Sequence, residues 1–161
     1  LSGAALAFPL LTRMKMDMRE IALILGAIGN HEEETGIPVS EISAALIIAD
    51  KSDAHRSRVR KKSFDYTDIH DRVNMSIKKN SLVVDRKKHI IRLVIFMDET
   101  SALMEYLQIY LSRMILSEKA AAFLGCSFEL VINGAVINRH TGVAKKMTLK
   151  SSEKEVSEEG N

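Results

Sequence analysis

The sequence has almost no cysteine, no tryptophan and few aromatic residues. One cysteine, Cys126, in 161 residues excludes an internal disulfide framework and is typical of a reducing compartment. Aromatic residues make up 5% of the chain, too few for a base-stacking surface, which argues against nucleic acid as a ligand. No apolar run reaches the roughly 18 residues of a transmembrane helix, and no signal-peptide pattern follows Leu1. These absences indicate a cytoplasmic protein without a membrane partner.

The composition is that of an ordinary globular protein. Apolar residues make up 46% of the chain and charged residues 27%, which is enough to form a core with a solvated surface. The 23 basic and 21 acidic residues nearly cancel to a net charge of +2. This balance excludes both a strongly basic nucleic-acid coat and an acidic disordered chain. The length fits one domain or two small ones.

The first segment, residues 1–14, has helical composition but contains Pro9 within its apolar run. Proline removes a backbone donor and starts or kinks a helix. The segment is therefore predicted to be either two short pieces or a helix that starts near Phe8.

Two further helices are predicted in the first half of the chain. Residues 17–30 carry apolar side chains at helical spacing, with Asp17 as the N-cap. Residues 39–50 are apolar almost all round and begin with Ser40 as a capping residue. This pattern predicts a buried helix, although a strand remains possible for residues 45–49.

The second half is predicted to combine helices with strands. Its predicted elements are a short helix capped by Asp68 with Ile69, Val73 and Ile77 on one face, strands at 81–85 and 89–97, a helix at 101–124 capped by Ser101, and a β-hairpin at Asn133-Gly134. The predicted fold class is thus α+β: an all-helical N-terminal part, residues 1–63, followed by a small α+β domain, residues 64–144. Residues 145–161 have no apolar periodicity and are predicted to be a disordered tail.

The first candidate for chemistry is His31, which begins a carboxylate-rich stretch, Glu32–Glu34. Imidazole and carboxylate together are the ligands of a hard or borderline divalent cation. The alternative is a solvated loop.

Asp50 is the second candidate because it ends a helix that is predicted to be deeply packed. A carboxylate at such a position needs a partner, since an isolated buried charge is costly. A metal ion, Lys51 or a later arginine could be that partner. The structural alternative is a helix-end aspartate that pairs with Arg56 or Arg58.

The basic run from Lys51 to Lys62 is a candidate phosphate-binding segment. Arginine binds phosphate oxygens bidentately, and Arg56, Arg58 and Arg60 would share one side of an extended chain. His55 within this run could contact a substrate or support a ligand. A solvated basic loop is the simpler interpretation, and RNA binding is a weaker one because the run is short and poor in aromatic residues.

His70 and Asp71 form a His-Asp pair in sequence, but adjacent helical side chains point about 100° apart and do not build a site by adjacency. A capping role for this segment is favoured.

The chain from Ile24 to Arg60 resembles the C-terminal half of a metal-dependent phosphohydrolase domain of the HD superfamily. The residues that carry the resemblance are Gly29-Asn30-His31-Glu32 and the stretch from Ala44 to Asp53. Up to about Asn138 the chain is similar to bacterial, clostridial-type HD-domain proteins, in which Lys51–Arg60 and Asp68–Asn74 are recognisable blocks followed by a small α+β domain.

The resemblance implies hydrolysis of a phosphate ester in a nucleotide or another phosphorylated small molecule. It implies that His31 and Asp50 bind a divalent metal such as manganese, iron or magnesium, and that Asp50 and Lys51 are catalytic. The substrate phosphate would lie near Asp53, Arg56 and Arg58, with His55 as a further substrate contact.

In the family the name-giving His-Asp doublet precedes the equivalent of His31, and this chain lacks it. The resemblance therefore implies truncation just before Leu1, with the metal site incomplete in this chain alone, so that this chain is not expected to retain full activity by itself. An alternative function is a non-catalytic regulatory or binding module that dimerises through its α+β domain. A homodimer is expected in either case.

Overall fold

The computed structural model describes residues 2–33, 36–59 and 64–138. Within these residues the elements in chain order are α1 (Ser2–Arg13), α2 (Met18–Gly29), α3 (Glu41–Lys51), a 3-10 turn (Arg56–Arg58), α4 (Ile69–Ser76), β1 (Ile77–Asp85), β2 (Ile90–Met97), α5 (Leu103–Phe123), β3 (Ser127–Ile132) and β4 (Ala135–Val136). The predicted α+β class with a helical N-terminal part is confirmed. The predicted tail and the segment 60–63 lie outside the described residues.

Helix α1 runs through Pro9 without a break, so the prediction of two pieces or of a start near Phe8 is wrong. An interior proline loses one hydrogen bond and crowds the preceding turn, at a cost of about 3 kcal/mol. Helix α1 packs against α2, and this contact is available to offset the cost. None of the α1 residues is buried.

The two other N-terminal helices form as predicted, and their caps explain their starts. The Asp17 side chain accepts a hydrogen bond from the Arg19 amide, and the Ser40 side chain accepts one from the Ser43 amide. Residues 45–49 lie within α3, which excludes the strand alternative. Helix α3 is not buried all round as predicted: it buries one stripe that includes Ala44, Ile47 and Ile48, while Ile42 on the other side is 48% exposed.

Two boundaries in the second half differ from the predictions. Asp68 caps α4 as expected, but Ile77 begins β1 instead of lying on the α4 face. Helix α5 has Ala102 as its N-cap instead of Ser101. The reason is that the Glu105 carboxylate accepts hydrogen bonds from both the Ala102 amide, at 3.1 Å, and the Ser101 hydroxyl, at 2.8 Å.

The sheet has the order β1-β2-β3-β4, with β1–β2 and β3–β4 antiparallel and β2–β3 parallel. Helix α5 connects the parallel pair, as such a connection requires. The predicted hairpin is confirmed: Asn133 and Gly134 have φ values of 49° and 85°, the positive pair of a type I′ turn.

Helix α5 is central because it packs against α3 on one side and β3 on the other. A single hydrophobic cluster includes Ile47 of α3, Val73 of α4, Leu93 of β2 and Tyr106 of α5. The division at residue 63 remains a prediction, but the helical and α+β parts share this core. No helix among the described residues is long and apolar enough to cross a membrane.

Candidate functional site

The residues predicted to carry chemistry lie at or just after the C-terminal ends of two helices, α2 and α3. His31 comes just after α2, and Asp50 and Lys51 are the last two residues of α3. The other predicted residues lie between the end of α3 and the end of the 3-10 turn, and they form no single cluster. They are Asp53, His55, Arg56 and Arg58.

The His31 ring is oriented by the helix that precedes it. Its Nδ1 lies 2.7 Å from the Ile28 carbonyl oxygen. Because a carbonyl oxygen only accepts, Nδ1 carries the proton and donates it. In the neutral ring Nε2 then holds the lone pair, which is the usual arrangement of a histidine that binds a metal.

Asp50 is paired with its neighbour Lys51. The Lys51 ammonium lies 2.7 Å from Asp50 Oδ2 and 3.8 Å from Glu33 Oε1. The Lys51 side chain is only 4% exposed, whereas that of Asp50 is 41% exposed. Of the predicted partners of Asp50, which were a metal ion, Lys51 or a later arginine, the structure shows the ion pair with Lys51. A cation is also favoured at this place by the C-terminal end of the α3 dipole.

Glu33 links this pair to helix α5. Its Oε1 accepts a hydrogen bond from Arg113 Nε at 2.6 Å, and its Oε2 accepts one from the Ser112 hydroxyl at 3.3 Å. The same Oε1 faces the Lys51 ammonium. One carboxylate oxygen therefore lies between the cation at the end of α3 and the cation of α5.

The positive groups keep both carboxylates ionised. Burial is the largest single influence on the pKa of Asp50 and raises it, but the hydrogen bond and charge of Lys51, together with the charges of His31 and Arg113, hold the pKa below its usual value. For Glu33, burial also raises the pKa, and the hydrogen bond and charge of Arg113 outweigh it. Both side chains are negative at neutral pH.

A cavity of about 320 Å³ adjoins Glu33, between the 3-10 turn, α4 and α5. Its polar lining consists of Glu33, Arg58, His70, Asn74, Tyr110 and Arg113. The cavity is large enough for a small ligand. Two guanidinium groups line it, and each is paired with a carboxylate: Arg113 with Glu33 and Arg58 with Asp53. Guanidinium groups bind carboxylate and phosphate alike, so an anionic ligand could take the place of either carboxylate.

Tyr110 and Arg113 form one wall of this cavity. The Arg113 guanidinium carbon lies 5.2 Å from the centre of the Tyr110 ring, within the range of a cation–π contact. The Tyr110 hydroxyl donates to Asn74 Oδ1 at 3.0 Å. Burial raises the pKa of Tyr110, so its hydroxyl stays protonated at neutral pH.

The predicted substrate-binding residues have different positions. Arg58 lines the cavity, where its Nη1 also donates to the Asp53 carboxylate at 2.6 Å. Arg56 instead donates to the Met75 carbonyl at the end of α4. His55 is the N-cap of the 3-10 turn, and with Asp53 it lines a separate, open depression beside β1. Arg60 lies outside the described residues.

His70 and Asp71 diverge, as their adjacency on a helix predicts. His70 lines the cavity, whereas the Asp71 carboxylate accepts a hydrogen bond from the Asp65 amide. The Asp68 side chain caps α4 through the His70 amide. The predicted capping role of the segment is therefore confirmed for Asp68.

The two predicted metal ligands, His31 and Asp50, have donor atoms of the types that a divalent cation takes. His31 offers Nε2, and Asp50 offers the oxygen that Lys51 does not hold. A catalytic zinc site commonly has three protein ligands. Among the described residues, no three His, Cys, Asp or Glu side chains are grouped so that they could hold a metal ion.

Sequence reasoning did not single out Glu33, Tyr110 or Arg113. Glu33 was part of the carboxylate-rich stretch, but nothing distinguished it from Glu32. Arg113 could have been identified from the sequence, because a cation inside an apolar helical segment must be paired if it is buried.

Comparisons of this chain with models of protein families, with curated proteins and with solved structures find no match.

Proposed function

We propose that this chain is part of a metal-dependent phosphohydrolase of the HD type that acts on a nucleotide or another phosphorylated small molecule. His31 and Asp50 supply two ligands to a divalent metal, and the remaining ligands come from outside the described residues. A divalent metal held there would supply the acidity that ionises a bound water and positive charge for the phosphoryl oxygens.

One observation carries this proposal: the Glu33 carboxylate contacts both Lys51 and Arg113. It connects the proposed metal and catalytic residues at the end of α3 to a cavity with two guanidinium groups. A phosphate ester in the cavity would thus lie beside the groups that hydrolyse it.

The chain's own residues have separate roles in this proposal. His31 Nδ1 keeps its proton and donates it to the Ile28 carbonyl oxygen, which leaves the Nε2 lone pair available to the metal. Lys51 neutralises Asp50 and lowers the cost of its partial burial. Arg58 stabilises negative charge that develops on the phosphoryl group.

Metal content tests the ligand assignment. The 161-residue chain is purified without chelators and dialysed to equilibrium against Mn²⁺, and its metal content is measured by mass spectrometry; it is not desalted, because a site with two ligands would lose its metal. We expect partial occupancy by manganese in the wild type and lower occupancy in both His31→Asn and Asp50→Ala. His89→Asn is the matched control, because His89 is exposed in the β1–β2 turn and has a φ of 53°, which asparagine tolerates.

Equal metal content in the wild type and both ligand variants contradicts the assignment, and so does the absence of bound metal in the wild type. Release of phosphate from a nucleoside monophosphate in the presence of Mn²⁺ tests the reaction itself. Release that persists in Asp50→Ala, or no release from the wild type, contradicts phosphohydrolase activity in this chain.

A second candidate function, a non-catalytic module that dimerises through the α+β part, is favoured by strand β1. In the described part of the chain β1 is an edge strand, and its residues Leu82, Val83 and Val84 are 40–56% exposed. Exposed apolar edge strands pair readily with other strands. Antiparallel pairing of two copies about Leu82 would place Lys79 of one copy opposite Asp85 of the other, a favourable charge pair.

Light scattering on the full chain over a range of concentrations tests this candidate. We expect a dimer that Val83→Lys converts to a monomer, since a lysine on an edge strand blocks pairing. Leu111→Lys adds the same charge at an exposed leucine of α5 and should leave the dimer intact. A wild type that is monomeric at every concentration contradicts dimerisation through β1.

A further inference from the structure

The arrangement around Glu33 is that of an anion site filled by a side chain of the protein itself. The carboxylate receives hydrogen bonds from a guanidinium and a hydroxyl and faces an ammonium group, from Arg113, Ser112 and Lys51. These are the donor types that bind a phosphoryl group.

The donors and the carboxylate come from different parts of the chain. Arg113 and Ser112 lie on the central helix α5, and Lys51 is a buried residue of α3. Glu33, in contrast, belongs to the turn after α2, outside any helix or strand. The two cations and the hydroxyl are therefore placed by packed helices, while the carboxylate comes from a turn.

The remaining cavity wall offers further groups for an anion. Arg58 and His70 line it next to Arg113. The Arg58 side chain is 43% exposed, which allows it to shift between Asp53 and a ligand. The Arg113 side chain is only 18% exposed, so a bond from it to an anion is weakly screened by solvent.

Resting on the proposed function, we propose that this cavity is the phosphoryl-binding site for the substrate and that Glu33 is a built-in competitor for it. A phosphoryl group replaces the Glu33 carboxylate on Arg113 and Ser112 when it binds. Glu33 thereby keeps the Arg113 guanidinium paired in the free protein. A phosphoryl ligand binds only if its interaction with Arg113 and Ser112 is stronger than that of the Glu33 carboxylate.

The direction in which Glu33→Gln changes the affinity for phosphate distinguishes this role from a structural one. Glu33→Gln keeps the size of the side chain and an oxygen acceptor but removes the competing charge. If Glu33 competes with the ligand, phosphate binding should tighten by about fivefold or more, because Arg113 holds a neutral amide oxygen more weakly than a carboxylate. If Glu33 only positions Arg113, the same substitution should weaken binding.

Isothermal titration of the full chain with inorganic phosphate, at low ionic strength and without added metal, measures this. We expect tighter binding in Glu33→Gln, weaker binding in Arg113→Met and no change in Glu32→Gln. The last variant is the matched control, because Glu32 is an exposed glutamate in the same turn. Thermal unfolding of each variant verifies that it is folded.

Two results overturn the proposal: an affinity of Glu33→Gln equal to or weaker than that of the wild type, or no phosphate binding in either protein. The metal assignment is tested independently, since His31→Asn should bind less metal and keep its affinity for phosphate. If the chain binds metal but not phosphate, only the competitor role of Glu33 is refuted. If it binds phosphate but not metal, only the proposed hydrolase function is refuted.

Discussion

Removal of the Lys51 ammonium tests whether the end of α3 is organised by charge. Lys51→Met keeps an unbranched apolar stem in the buried position and removes the cation that lies 2.7 Å from Asp50 and 3.8 Å from Glu33. The substitution therefore separates the electrostatic contribution from the packing of the stem.

The expected loss of unfolding free energy follows from the geometry. A unit pair at the Lys51–Asp50 distance of 2.7 Å gains about 1.5 kcal/mol in water and about 6 kcal/mol at an effective dielectric constant of about 20. The Asp50 side chain is 41% exposed, so it rehydrates when the ammonium is lost, and methionine avoids the cost of burying a charge. We therefore expect a loss of about 1–2 kcal/mol at pH 7.

The loss should depend on pH in a defined direction. The pKa of Asp50 in the folded protein lies below its usual value, so the ionised group stabilises the fold above the unfolded pKa of about 4. That stabilisation disappears as the pH falls through the folded pKa. The difference between the wild type and Lys51→Met should hence be full at pH 7 and shrink below about pH 4.

Urea unfolding followed by circular dichroism at pH 7 and pH 3 measures both quantities. Lys88→Met, at an exposed lysine of the β1–β2 turn, is the control and should change stability by less than about 0.5 kcal/mol. A Lys51→Met loss no larger than that of the control refutes the coupling. A loss that is the same at both pH values shows that packing, and not charge, is responsible.

Three further substitutions test the fold by urea unfolding. Asp68→Ala removes the side-chain cap of α4 and should cost about 1 kcal/mol; no loss would show that the cap does not stabilise α4. Leu93→Ala leaves a cavity at a residue that is 1% exposed in β2 and should cost about 2–5 kcal/mol, and a smaller cost would place Leu93 outside a tightly packed core. Gly134→Ala puts a side chain at a φ of 85° and should cost about 1 kcal/mol; no loss would contradict the type I′ turn.

Local signals in the sequence were sufficient for several elements. Asp17, Ser40 and Asp68 accept hydrogen bonds from backbone amides one turn or less ahead, and this chemistry can be recognised within four residues of sequence. The Asn133-Gly134 turn is local in the same way, because both residues tolerate positive φ. The α+β class followed from these elements.

Other features were not predicted from the sequence because they depend on which of several competing interactions is stronger. Pro9 lies inside a continuous helix although it costs about 3 kcal/mol there, and the contact of α1 with α2, which is not local in sequence, is available to offset that cost. Ser101 does not cap α5 because the Glu105 carboxylate takes over that role. A sequence pattern identifies the candidates in such cases, but their relative energies decide the outcome.

For the candidate site, the sequence by itself determined the placement of His31, Asp50 and Lys51 at helix ends, since helix periodicity and stop signals are local. Only the tertiary structure decided their partners. Glu33 and Arg113 are 80 residues apart and meet because α5 packs against α3 in the shared core. Such a contact depends on how whole helices bury their apolar faces, which no spacing of charged residues along the chain encodes.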